Sequence, residues 1–186
     1  MIKSIVKWSK KEHSLGSRLA AAIPAGLLFV VALPWLFIRG FPRLDELLGW
    51  AAFKPGVAGM IFAGILILVG APIAVWTVVD QYARARGTPL PVMATQRLLT
   101  GGPYAWSRNP MVFGTLSTYL GLALISGAWS ALILFLIFSG SLLAYLKLVE
   151  EHELAARFGQ EYLDYKGRTS FLIPWPRKHS RSGTIT

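Results

Sequence analysis

Residues 57–80 read VAGMIFAGILILVGAPIAVWTVVD. From Val57 to Val79 there is no charged side chain, and Asp80 ends the run. A helix rises about 1.5 Å per residue, so this stretch is long enough to cross a hydrocarbon core of roughly 30 Å. Pro72 does not exclude that reading, because membrane helices tolerate proline. Outward from here the pattern repeats. Upstream, RLAAAIPAGLLFVVALPWLFIR (18–39) is uncharged from Leu19 to Ile38, with Pro24 and Pro34 inside. Downstream, a shorter run goes from Met111 to about Ile125, SGAWS (126–130) turns it, and a further run goes from Trp129 to Val149. The last run continues as EEHELAARF to Gly159, a residue suited to ending a helix. Within it, Lys147–Glu151 and Glu153–Arg157 have the i,i+4 spacing of supporting ion pairs.

These runs predict an all-α integral membrane protein with about four transmembrane helices and a C-terminal helical extension. The chain forms a single membrane domain over 1–186: two N-terminal spans to 79, a region of chemical interest at 80–175, and a basic, disordered tail at 176–186. The first apolar run exceeds the ~7–15 residues of a signal peptide and is read as a span. Between the first two runs, RGFPRLDELLGWAAFKPG is read as a connection, with LDELLGWAAF as a short interfacial helix. The composition agrees. Of 186 residues 54% are hydrophobic and 15% charged, which is apolar for a soluble domain. The absence of cysteine removes thiolate chemistry and Cys-based metal sites, and His13, His152 and His179 are scattered, so no metal is expected.

The formal charge is +10. Its basic residues flank the apolar runs, which suits anionic lipid headgroups rather than nucleic acid, for which no motif is present. The N-terminal arm carries five basic residues, the 80–110 loop four, and the part from Lys147 onward seven. SGAWS carries none. The positive-inside rule then places both termini and the long loop in the cytoplasm, as in a bacterial inner membrane or its equivalent.

That loop ends in GGPYAWSRNPMVFG (101–114). Asn109-Pro110 reads as a helix start, with Asn as N-cap and Pro at the first position. A helix N-terminus favours an anion, and Arg108 adds a planar fork able to hold a carboxylate at two points. Gly101-Gly102-Pro103 permits close backbone approach. Tyr104 and Trp106 offer flat faces. Each also has a plainer reading: a turn, a lipid-phosphate contact, interface anchors. Where the last helix leaves the membrane, Glu150 and Glu151 supply acid; Glu151 has Lys147 as a partner, whereas Glu150 has none at i−4 or i+4.

With GTPLPVMATQRLLTGGPYAWSRNPMVFG followed by a hairpin and EEHELAARFGQEYLDYKGRTSFLIP, the chain resembles the isoprenylcysteine carboxyl methyltransferase family, which is related to the phospholipid N-methyltransferases. The resemblance covers about residues 80–175. It implies an integral membrane enzyme that uses S-adenosylmethionine, bound by a cytoplasmic loop, the last hairpin and the segment after it. Gly102, Pro103 and Tyr104 match the family's Gly-Pro-Tyr, and Arg108, Asn109 and Pro110 its Arg-His/Asn-Pro. Glu150 and Glu151 match its acidic pair, and Tyr162 and Tyr165 the tyrosines after Phe158-Gly159. All are expected at the cofactor, with Arg108 and Glu150 also carrying the catalytic role. A lipophilic acceptor would enter from the bilayer, or a small one would be used. Two positions depart: Val112 stands where the family usually has tyrosine, and Asn109 where the eukaryotic enzymes have histidine. The NADPH-dependent sterol reductases share an Arg-His-Pro-like hairpin region, but this chain has Glu-Glu and Phe-Gly-x-Glu-Tyr where they have basic motifs. A non-catalytic four-span scaffold or transporter is the remaining alternative.

Overall fold

A computed structural model describes residues 23–85 and 97–175. The N-terminal arm, the centre of the polar loop and the tail after 175 lie outside them, and so does the expectation that the tail is disordered. Helix α1 runs Ile23–Leu47, α2 Gly56–Arg84, α3 Pro110–Ser126, α4 Trp129–Phe158 and α5 Gln160–Arg168. Among the described residues there is no strand beyond one isolated bridge. The protein is thus all-α, with α1, α2 and α4 long and apolar enough to cross a membrane and α3 shorter.

α1 differs from expectation. It does not stop near Ile38 but continues through Arg39-Gly40-Phe41-Pro42 to Leu47, so the supposed connection is largely its last turns. Wide, π-type turns at Leu27–Ala32 and Leu36–Gly40 let it pass its prolines. In such a turn the carbonyl five residues before Pro34 is that of Phe29, and proline has no N–H to offer it. The Tyr119 hydroxyl of α3 donates to that carbonyl instead.

α2 and α3 form the closest pair. Gly70, Gly114 and Gly121 lie where the backbones meet: a Cβ on Gly114 would sit 2.6 Å from the Gly70 carbonyl oxygen, and one on Gly121 would sit 2.7 Å from that of Ala63. Without a hydrophobic drive between helices in lipid, such close approach is what holds them. α1 and α4 pack on the other side of α3 through Phe37, Phe41, Leu116, Tyr119 and Phe135. Phe37 meets Phe41 edge-on at 5.1 Å and Tyr119 at 5.3 Å.

At the end of the bundle where α3 turns into α4, Asp45 is buried and caps α4. Its carboxylate accepts from the Trp129 N–H at 2.7 Å and the Ser130 N–H at 3.2 Å. Gly127, at φ +67°, makes the α3–α4 turn, and its carbonyl accepts from the Phe53 N–H at 2.9 Å. At the other end, α2 extends past Asp80 to Arg84 before the loop begins. α4 widens at Leu146–Glu150, then runs on to Phe158. Gly159, at φ +56°, separates it from α5.

Candidate active site

The segment 101–109 is bent by a single 3-10 turn at Gly102–Ala105. Gly102 has φ +59°, and a Cβ there would come 3.3 Å from the carboxylate oxygens of Asp80. Its glycine therefore serves contact with α2 as well as the turn. The buried Asp80 pairs with Arg84 at 2.7 Å across one helical turn. Its neighbour Gln81 donates from its amide nitrogen to the Tyr104 hydroxyl.

From Trp106 onward the segment is tied to the stretch after α5. The Arg108 N–H donates to the Ser170 carbonyl at 2.9 Å, the Trp175 N–H to the Trp106 carbonyl at 3.1 Å, and the Ser107 hydroxyl to the Leu172 carbonyl at 2.8 Å. The Asn109 amide donates to the Phe171 carbonyl at 2.9 Å. Asn109 does precede α3, and Pro110 opens it, but the Asn109 side chain does not cap the helix. It is spent on Phe171.

Arg108 is the centre of this knot. Its Nε and Nη2 donate to Glu151 Oε1 at 3.0 and 2.7 Å, and its Nη1 to the carbonyls of Lys166 and Thr169 at 2.8 and 2.6 Å. Four hydrogen bonds occupy four of a guanidinium's five N–H groups, so the two-point grip on a ligand carboxylate is already used internally. Glu151 is buried, and its other oxygen meets Lys166 at 2.7 Å. Its ion pairs among the described residues are thus with Arg108 and Lys166, not with Lys147 as helical spacing suggested. Tyr165, also buried, donates to the Tyr104 carbonyl at 2.7 Å and so fixes the turn from α5.

A cavity of about 100 Å³ lies inside this arrangement, lined by Gln81 of α2, Tyr104, Arg108 and Asn109 of the segment, Glu150 and Glu151 of α4, and Tyr162 and Tyr165 of α5. Leu98, Leu99, Leu146 and Leu154 complete its wall. Of the residues singled out in the sequence, seven meet here. Gly102, Pro103 and Pro110 stand outside the lining and shape it, and Trp106 is 52% exposed, away from the cavity. The half-buried Glu150 carboxylate has no hydrogen-bond or ion-pair partner among the described residues. The wide turn at 146–150 sets it apart from Glu151, which is fully engaged. Burial, and secondarily the Glu151 carboxylate, pushes the Tyr162 phenol from 10.0 up to about 12. Burial does the same to Tyr104, opposed by the Gln81 hydrogen bond. Both phenols are neutral donors near pH 7.

Asp80, Gln81 and Lys166 were missed in the sequence. The i,i+4 spacing of Asp80 and Arg84 at the foot of α2 was the available signal for the first. Nothing in local spacing pointed to Lys166. No metal-holding cluster of acidic and histidine residues is present among the described residues.

The fold and the site define an all-helical membrane protein with a polar pocket where its helices end. The chain belongs to the phospholipid methyltransferase family, which matches residues 58–161 and so spans α2 to the start of α5. It is 26% identical over 131 residues to the methanethiol S-methyltransferase of Mycobacterium tuberculosis (strain ATCC 25618 / H37Rv), a match covering 70% of this chain and 50% of that protein. The chain thus spans about half the length of that relative. No solved structure matches it significantly.

Proposed function

We propose that this chain transfers a methyl group from S-adenosylmethionine to a small or lipophilic acceptor at the membrane interface. Family membership supports the reaction class. The observation that carries the site is Glu150: a half-buried carboxylate on the cavity wall with no protein partner, beside the engaged Glu151. Such a group suits the ammonium or ribose hydroxyls of the donor. The donor set fits in kind, being acidic, phenolic and leucine-lined. The cavity is smaller than the roughly 300–1,000 Å³ of most small-molecule sites, so it takes one part of the donor. When bound, the cofactor supplies a methyl group on a positively charged sulfur. The chain's own part is to bind, orient and exclude water, which is what an in-line displacement needs. In this reading Glu150, Tyr104 and Tyr162 face the ligand. Arg108, Asn109, Glu151 and Tyr165 hold the wall, with Arg108 lending positive charge to a bound carboxylate.

The basic residues of the pocket face place it in the cytoplasm, against anionic headgroups. The acceptor proposed first is a small thiol, on the ground of the relative's name and the small, leucine-lined cavity. A phospholipid amine is the second reading, favoured by the family's description. Calorimetry on detergent-purified protein tests the donor: S-adenosylhomocysteine is expected to bind in the micromolar range and Glu150→Gln to weaken it about tenfold. Unaltered affinity in that variant rejects the role given to Glu150. Assays with methanethiol and with phosphatidylethanolamine vesicles then decide the acceptor by which product forms.

A further inference from the structure

At the foot of α2, two consecutive residues present acceptor atoms that no donor reaches. Asp80 Oδ2 and Gln81 Oε1 are both sealed from solvent and without a hydrogen bond. Buried polar groups are nearly always paired, and each exception calls for a reason. Gln81 borders the cavity, whereas Asp80 stands behind it, held by Arg84 and pressed against Gly102. The Gln81 side chain is itself held. Its amide nitrogen is on the Tyr104 hydroxyl, and the Tyr104 backbone is fixed by Tyr165. Turning the amide over moves the deficit to the nitrogen and does not remove it.

We propose that Gln81 is a ligand-contacting, specificity-determining residue of this pocket, whose amide oxygen accepts from the exocyclic amine of the donor's adenine. The proposal rests on the reading of the site as one for S-adenosylmethionine. Three observations favour the base over other parts of the donor. The wall around Gln81 is apolar and aromatic, from Leu98, Leu99, Leu146, Leu154 and Tyr162, which suits a flat ring. The cavity of about 100 Å³ offers room for roughly seven to ten water-sized atoms, about a single purine. Glu150, on a different helix, remains for the ammonium or ribose.

The test is calorimetric titration of the full chain in detergent with S-adenosylhomocysteine and with its 6-oxo analogue, S-inosylhomocysteine, which has no exocyclic amine. Wild type is expected to prefer the adenosyl compound by about tenfold, the factor for one hydrogen bond of about 1.4 kcal/mol. Gln81→Leu, similar in size, is expected to lose about tenfold in affinity for the adenosyl compound and to bind both compounds within about twofold. Gln81→Glu, which only accepts, is expected to keep or widen the preference, and supplies the answer if the leucine variant does not fold. Glu150→Gln is expected to weaken both compounds equally and leave the preference intact. Wild-type preference retained in Gln81→Leu, or abolished in Gln81→Glu, overturns the proposal while leaving the donor reading standing. No binding of either compound to folded wild type overturns both.

Discussion

The α2–α3 pair and the knot around Arg108 hold the same chain together by opposite means. Between α2 and α3, contact comes from side chains that are missing: Gly70, Gly114 and Gly121 let backbone meet backbone. Around Arg108, contact comes from side chains that are crowded with partners, with Glu151 alone serving Arg108 and Lys166. In lipid, apolar surface gains little by meeting apolar surface, so shape carries the association. At the bundle's polar end, directed hydrogen bonds and a buried charge pair carry it, and these set the shape of the cavity. Substitutions should therefore act globally in the first region and locally in the second.

The largest effect is expected at Gly114. Gly114→Val places atoms where even a Cβ would sit 2.6 Å from the Ala74 backbone nitrogen. The cost should exceed the roughly 1–3 kcal/mol of ordinary overpacking, because neither backbone can turn aside. The check is the yield of monodisperse protein in detergent, expected to collapse; a normal yield breaks the contrast. Next comes Arg108→Met, which leaves Glu151 buried with one partner removed and two carbonyls unmet. A loss of roughly 3–5 kcal/mol is expected, concentrated in the knot. Hydrogen exchange should rise sharply in 169–175 while α2 and α3 remain protected. Equal exposure of all segments would show that the two regions are not separable.

Asp45→Ala, at the far end, removes a cap and is expected to cost about 1 kcal/mol in a thermal melt, with donor affinity unchanged. Smallest is Tyr165→Phe, which deletes one hydrogen bond to the Tyr104 carbonyl, about 0.5–1.5 kcal/mol, and should be seen more clearly in ligand affinity than in melting. The phenols add a pH expectation. The folded values of Tyr104 and Tyr162 are near 12, against 10.0 for the free side chain. The stability associated with them is fully present below about pH 10 and is lost as pH rises through about 12. Neither phenol should contribute an inflection to activity between about pH 6 and 9.

Much of this architecture was readable before any coordinates. Uncharged length alone marks α2 and the apolar part of α4, and Gly159 marks the end of the latter. What was not readable depends on partners distant in sequence. Spacing offered Lys147 to Glu151, because helical arithmetic sees only one helix, while the actual partners come from residue 108 and from α5. Arg39 to Pro42 looked like a break because glycine and proline usually are one; wide turns and the Tyr119 hydroxyl remove the penalty. Asn109 looked like a cap because nothing in the sequence places Phe171 beside it. The motif residues Tyr104, Arg108, Glu150 and Tyr162 were identified correctly as neighbours, but which were committed internally and which faced the cavity required the fold.

The wide turn at Leu146–Glu150 has a consequence for how this helix tolerates change in length. A π-type turn holds one residue more than an α-turn, so it acts as a phase shift: the spiral of side chains before it and the spiral after it are out of step by one place. Deleting a single residue there, such as Val149, would bring the two back into step and rotate all that follows, Glu151 included, by roughly 100°. Insertions and deletions elsewhere in a surface loop are absorbed. At this point one codon sets the angular position of the acid that closes the knot.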